Sequence, residues 1–259
     1  NYVYKAYFAS KDISAERTAK IEHDLAQLER ERVAILKAFS LQSEHQFRTP
    51  LSSIHTNLYL LRKVTDETKR ARYLDVIEDQ ARLLLELVES LGLLTQIEIR
   101  EELTEYMLNI NEIIQGLLPN YIKEATAKEV IVRAMLTPDL PKFRGNHQFI
   151  KSSVQHLIRN AVAYTSKGGT VVITTRLGKT NKGQKAIELI VEDTGIGMSE
   201  KVQQHAFERF YRADVAQTTS GLGLGLPLVK EVAHHYGGHV SLVSIEGKGT
   251  VVTLTLPVM

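Results

Sequence analysis

No cysteine occurs among the 259 residues. That excludes a disulfide framework, a thiolate zinc site and a cysteine nucleophile, and it fits a reducing compartment such as the cytoplasm. Nor does one sign of charge prevail, with 32 Lys and Arg against 30 Asp and Glu. No strong field therefore draws the chain to nucleic acid or to an anionic membrane, and no nucleic-acid partner is expected. No apolar run approaches the about 18 residues that a membrane-spanning helix needs, and no signal peptide opens the chain. Between Ser14 and Leu61 glycine is absent and Pro50 is the single proline. Glu, Arg, Lys, Leu and Ala dominate that stretch, so one long helix is expected there. Apolar residues make up 43% of the chain, enough to supply cores for one large domain or two modest ones.

The first half of that helix carries a heptad. Ile21, Leu25, Leu28, Ile35 and Phe39 fall at alternating a and d positions, interrupted by Arg32 and Gln42, as in a dimerising coiled coil. A solvated single helix is the alternative. Beyond Gln42 the apolar stripe changes phase to Phe47, Leu51, Ile54, Leu58 and Leu61, and Pro50 sits at the change. A proline inside a helix removes one backbone hydrogen bond and favours a kink. After a polar break at Thr65, Asp66 and Thr68, a second helix repeats Tyr73, Ile77, Gln80, Leu84, Leu87, Leu91 and Leu94. Two arms with one apolar stripe each form a helical hairpin, and a second hairpin would cover the remaining apolar surface, giving a dimeric four-helix bundle.

Past about Ile99 helix and strand patterns intermix, which predicts an α+β sandwich. Asn111 to Ala127 and Gln148 to Ala163 read as helices. Thr170 to Arg176, Ile187 to Glu192, His239 to Ser244 and Thr250 to Leu256 read as strands. Lys179 to Lys185, with Asn181 and Gly183, reads as a hairpin turn.

On the helical wheel His45 points about 160° away from the Phe47 to Leu61 stripe, and Thr49, one turn on, shares that outward face. Both side chains could address one phosphoryl group. An isolated surface histidine carries no such meaning, so its context decides. Glycines of Gly221-Leu222-Gly223-Leu224-Gly225-Leu226 run into a predicted helix, where backbone amides offer an anion site, although a lone glycine triplet is often only a turn. His234 and His235 lie on different helix faces and Gly237-Gly238 breaks the register to His239, so no zinc site is expected.

The segment Ser43-Glu44-His45-Gln46-Phe47-Arg48-Thr49-Pro50-Leu51 resembles the phosphoacceptor box of sensor histidine kinases. The ordered set Asn160, Asp193-Thr194-Gly195-Ile196-Gly197, Phe207-Glu208-Arg209-Phe210-Tyr211-Arg212 and Gly221 to Leu226 resembles the N, G1, F and G2 boxes of that family's ATP-binding domain. The resemblance covers about residues 40 to 259. It implies a coiled-coil signalling helix over 1–39, a dimerisation and phosphotransfer domain over 40–98 and an ATP-binding domain over 99–259. His45 would accept the γ-phosphoryl of ATP and pass it to an aspartate of a response-regulator receiver domain. Gln46 replaces the acid that many relatives place after the histidine; it can orient the ring but cannot take a full proton. Glu44 is a possible substitute, and Thr49 matches a position that orients water for phosphatase activity.

In the second domain the resemblance implies that Asp193 accepts the adenine amino group. Gly195 and Gly197 turn against the base, and Tyr164 stacks near it. Gly221, Gly223, Gly225 and Leu226, with Arg212, would meet the phosphates, and Asn160 would bind Mg²⁺. Arg209 is a further phosphate candidate. The usual lysine before Tyr164 is Ala163 here, for which Lys167 or the arginines could substitute. His156 stands where many kinases have a second Asn and hydrolysing relatives a glutamate, which disfavours a chaperone-type or mismatch-repair-type ATP hydrolase. The segment from about Met198 to Gly221 is expected to be a nucleotide-ordered lid. Gln46 and Ala163 support the rival reading, an impaired nucleotide-binding dimeric scaffold or phosphatase. Because the chain opens with Asn1 in a polar, tyrosine-rich run, an upstream sensor module is expected, with this portion cytoplasmic and a membrane anchor possible.

Overall fold

The structure is a computed structural model that describes residues 44, 46–99, 104–212 and 222–258. The expected signalling helix over 1–39, His45, Gly221 and the 213–221 part of the expected lid lie outside the described residues.

A first helix, α1, covers residues 46–63, with Pro50 inside it and buried. Residues 64–66, which include Thr65 and Asp66 of the polar break, separate it from α2, Glu67–Glu98. Asp66 sets the start of α2: its Oδ1 accepts the Lys69 N–H at 2.9 Å and its carbonyl accepts the Arg70 N–H at 2.9 Å, so two amides at the helix start are satisfied. The helical hairpin expected from the two stripes is therefore present. Among the described residues no helix is long and apolar enough to cross a membrane.

The chain forms two compact units, the first ending at Gln80 and the second beginning at Ala81, so the division lies inside α2. The second half of α2 belongs with the α/β unit because it buries Leu87, Ser90, Leu93, Leu94 and Ile97. That stripe includes Ser90, a position the apolar repeat of the sequence passes over.

The α/β unit continues with β1 (Tyr106–Leu108), α3 (Ile110–Ala127), β2 (Ile131–Leu136), β3 (Phe143–Gly145), α4 (His147–Tyr164), β4 (Thr170–Lys179) and β5 (Lys185–Asp193). It ends with α5 (Glu200–His205), α6 (Gly225–His235), β6 (His239–Ile245) and β7 (Gly249–Pro257). Five strands make one mixed sheet in the order β2-β4-β5-β7-β6, while β1 pairs with β3. Only β2 and β4 are parallel; β4, β5, β7 and β6 are joined antiparallel. The expected sandwich is thus a sheet carrying helices. Asn109 and Asn146 cap α3 and α4 through their side-chain oxygens.

Period-two burial aims Val171 and Ile173 of β4 and Leu189, Val191 and Ile187 of β5 inward, each at most 2% exposed. Helix α4 packs on β4 and β5, and α6 packs on α4, β6 and β7; Phe149, Ile150, Val154 and Ile158 of α4 and Leu228, Val229 and Val232 of α6 are all fully buried. The predicted hairpin closes between Thr180 and Gln184, with the Thr180 N–H bonded to the Gln184 carbonyl at 2.9 Å and Gly183 at φ +78°. Strands β1, β2 and β3 were not predicted. The expected lid opens with α5 and the turns that follow it, through residue 212.

Candidate active site

The end of β5, the inner face of α4 and the start of α6 converge on a cleft of about 610 Å³ within the second unit. Asp193 closes β5, in register with Val171 on one side and Thr250 on the other. Its Oδ1 accepts the Gly195 N–H at 2.8 Å, and the Thr250 N–H donates to the same carboxyl. Burial holds this carboxyl above the usual carboxylate range, partly opposed by those two amides. The result is a fixed, partly desolvated hydrogen-bond acceptor on the cleft wall.

The turn after Asp193 is packed too tightly for a side chain. A Cβ on Gly195 would stand 2.3 Å from the Tyr164 carbonyl oxygen, and one on Gly197, at φ +64°, would stand 2.0 Å from that of Ile245. Between them Ile196 donates its N–H to the Tyr164 carbonyl at 3.1 Å and accepts the Gly247 N–H at 2.7 Å. Residues 193–197 are thereby clamped between the C-terminus of α4 and the β6–β7 turn.

The other end of the cleft is the N-terminus of α6. Leu224 is its N-cap and offers no side-chain acceptor, so the first amides of the helix, Gly225 and Leu226 included, face the cleft without a cap. Such an end attracts anions. Gly223 is held by the Phe210 N–H, which donates to its carbonyl at 2.8 Å. Asn160 and Tyr164, one turn apart on α4, line the same cleft, as does Arg212. Burial raises the Tyr164 phenol, while the Arg212 and Arg159 cations pull it back down.

Every described member of the predicted nucleotide set, Asn160, Tyr164, Asp193, Gly197, Arg212, Gly223, Gly225 and Leu226, lines this cleft, with Gly195 inside its turn. Other cations of the sequence reading do not. Lys167 pairs with Glu129 at 2.6 Å, and Arg209 pairs with Glu98 at 2.5 Å. In the phosphoacceptor segment Gln46 is half-buried and Thr49 exposed. Glu44, the possible proton acceptor, is ion-paired with Arg48. Among the described residues no group of three or more His, Cys, Asp and Glu is arranged to hold a metal.

Among the polar cleft residues that sequence reasoning missed are Glu86, Ser90, Arg159, Lys201, Glu246 and Thr250. His156, noted only as a replacement, is 7% exposed. Its Nδ1 lies 3.1 Å from the Arg159 guanidinium, which can only donate, so Nδ1 accepts and the ring proton sits on Nε2, facing the Ser90 hydroxyl at 3.4 Å. Burial first and Arg159 second push this imidazole down to about 3, which keeps it neutral.

Residues 42–99 match the His Kinase A (phospho-acceptor) domain. Residues 145–259 match the histidine kinase-, DNA gyrase B- and HSP90-like ATPase domain. The sensor histidine kinase RppB of Synechocystis is 31% identical over 225 residues, covering 85% of this chain and 48% of the relative. The chain spans about half the length of the curated relatives it matches. The fold is shared with the histidine kinase AdeS of Acinetobacter baumannii, at TM-score 0.62 and 19% identity over 82% of this chain and 97% of the other. It is also shared with the histidine kinase ThkA, solved in complex with the response regulator protein TrrA, at TM-score 0.64 and 19% identity over 89% and 64% of the two chains. A phosphoacceptor hairpin joined to an ATPase domain of this class, in this order, places the chain in the sensor histidine kinase family of two-component systems.

Proposed function

We propose that this chain is the catalytic core of a homodimeric kinase that moves the γ-phosphoryl of ATP to His45 and from there to an aspartate of a response-regulator receiver domain. The observation that carries the reading is one cleft that joins a half-buried acceptor, Asp193, to an uncapped helix end at Gly225, with Asn160 and Tyr164 between. The residues fit an adenine nucleotide. Asp193, braced by the Gly195 and Thr250 amides, accepts an exocyclic N–H of the base. Gly195 and Gly197 keep the backbone flat against the base, and Tyr164 stacks beside it. Gly221, Gly223, Gly225 and Leu226 present amides to the phosphates, with Arg212 as a cation. The Asn160 amide oxygen is a suitable ligand for Mg²⁺, which, when bound with nucleotide, offsets phosphate charge.

At the acceptor, a neutral His45 ring nitrogen forms the new nitrogen–phosphorus bond while the bond from the γ-phosphorus to the bridging oxygen breaks. Gln46 orients the ring, and its proton passes to solvent because an amide cannot take it. Thr49 orients the water of a phosphatase step in this reading. Dimerisation through residues 40–98 is supported by Leu51 and Leu58 on the α1 stripe, 53% and 44% exposed in the single chain. Residues 99–259 form the catalytic domain, 1–39 the signalling helix, and an upstream sensor module completes a protein whose ATP-using part faces the cytoplasm.

The test is incubation with γ-labelled ATP and Mg²⁺, comparing the native chain with His45→Ala and Asn160→Ala. Label that is acid-labile, base-stable and lost in both variants supports the kinase. Intact ATP binding with no label would replace it with the scaffold or phosphatase reading.

A further inference from the structure

Two residues of α2, one turn apart, form part of the wall of the cleft: Glu86 and Ser90. They meet two residues of α4. The Glu86 carboxylate is ion-paired with the Arg159 guanidinium, and the Ser90 hydroxyl faces His156 Nε2 at 3.4 Å. His156 Nδ1 in turn holds the other end of the guanidinium at 3.1 Å. The same His156 ring abuts the start of α6, for a Cβ on Gly225 would lie 3.1 Å from Nδ1. One imidazole thus separates Arg159 from the helix end that favours anions.

This arrangement contains a conflict. A cleft built for a polyanion carries a carboxylate in its wall, and that carboxylate occupies a guanidinium adjacent in sequence to Asn160. The pair is mostly enclosed, with side chains 24% and 27% exposed, so screening by water is weaker than at an open surface. A nucleotide polyphosphate at the α6 end offers Arg159 a bidentate anionic partner and repels Glu86. We infer that the Glu86–Arg159 pair is a nucleotide-displaced latch: Arg159 holds α2 against the cleft when nucleotide is absent, and transfers to the phosphates when it binds. Arg159 is then a phosphate-binding residue whose availability α2 controls. The inference rests on the cleft being the ATP site.

The measurement is ATP and ADP affinity, by calorimetry on the full chain, for the native protein, Glu86→Gln, Arg159→Gln, the double variant and Asp193→Asn. Glu86→Gln is expected to tighten ATP about five- to tenfold, and ADP by less. Arg159→Gln is expected to weaken ATP about tenfold. With Gln at 159 the gain from Glu86→Gln shrinks below about twofold, because the competition has lost its object. An equal gain in both backgrounds would reduce Glu86 to through-space repulsion and overturn the latch. No gain at all overturns it too, even where Asp193→Asn abolishes binding and so upholds the ATP site. If the native chain binds neither nucleotide, the site and the latch fail together. Arg159→Lys, which keeps the charge and loses the fork, guards against a folding artefact and should fall between native and Gln.

Discussion

Gly197→Ala tests whether the turn after Asp193 is held by sterics or merely tolerates glycine. The new Cβ would sit 2.0 Å from the Ile245 carbonyl oxygen and 2.7 Å from its carbon, both backbone atoms that cannot rotate away. Relief requires the 245–249 turn to move, which breaks the 2.7 Å hydrogen bond from the Gly247 N–H to the Ile196 carbonyl. The lost bond costs about 1 kcal/mol, and the left-handed backbone adds ~1–2 kcal/mol for a residue with a Cβ. With residual strain the total is roughly 2–4 kcal/mol. For a unit of this size each kcal/mol lowers the melting temperature by about 2–4 °C, so a fall of roughly 5–15 °C is expected. Gly183→Ala is the control, since its φ of +78° is similar but nothing lies within 4 Å of the new Cβ. It should lose only the conformational part, ~1–2 kcal/mol. Thermal unfolding followed by circular dichroism reads both. A Gly197→Ala chain that melts no lower than Gly183→Ala would refute the clamp.

Asp193→Asn should separate stability from binding. Burial raises the folded-state pKa of this carboxyl, so the folded state holds the proton more tightly than the unfolded one. Its ionisation therefore costs stability above the ordinary carboxylate range, and that cost disappears on acidification. The Asn variant should melt slightly higher than native at pH 7, match it below about pH 4, and bind ATP more weakly at every pH. His156 has the opposite sign, because its folded pKa is lowered from 6.5 to about 3. The unfolded chain takes up a proton that the folded one refuses, so stability is lost as pH falls through that window. Melting curves between pH 7 and 4 should fall more steeply for native protein than for His156→Asn; parallel curves would mean the ring is not desolvated.

The hairpin was legible because a repeat of alternating three- and four-residue steps leaves little choice of fold, and β4, β5, β6 and β7 because their alternation is clean. Strand β2 was not, for a different reason. It is an edge strand whose residues are largely exposed, Ile131 at 50% and Met135 at 58%, so burial never imposed a two-residue period on it. Three-residue β1 and β3 are too short to carry a pattern. Asn160, Tyr164, Asp193 and the glycines of the site could be read because they occur as ordered motifs. Glu86 and Ser90 could not, since their partners lie about 70 residues away and their own helix reads as bundle. Thr250 had a usable signal in Gly247-Lys248-Gly249, a turn ahead of a strand.

The two hairpin turns of the main sheet have different capacities to grow. The β4–β5 turn is closed by its own Thr180 and Gln184 and has open space around Gly183, so inserted residues, a tag or a fluorophore loop would project into water. The β6–β7 turn is bolted to the wall of the cleft: a Cβ on Gly249 would lie 1.9 Å from the Asp193 carbonyl oxygen, and Gly247 donates to Ile196. Lengthening that turn by even one residue would lever residues 193–197 out of line. Natural length variation among members of the family, and any reporter grafted by hand, should therefore gather at the first turn and spare the second.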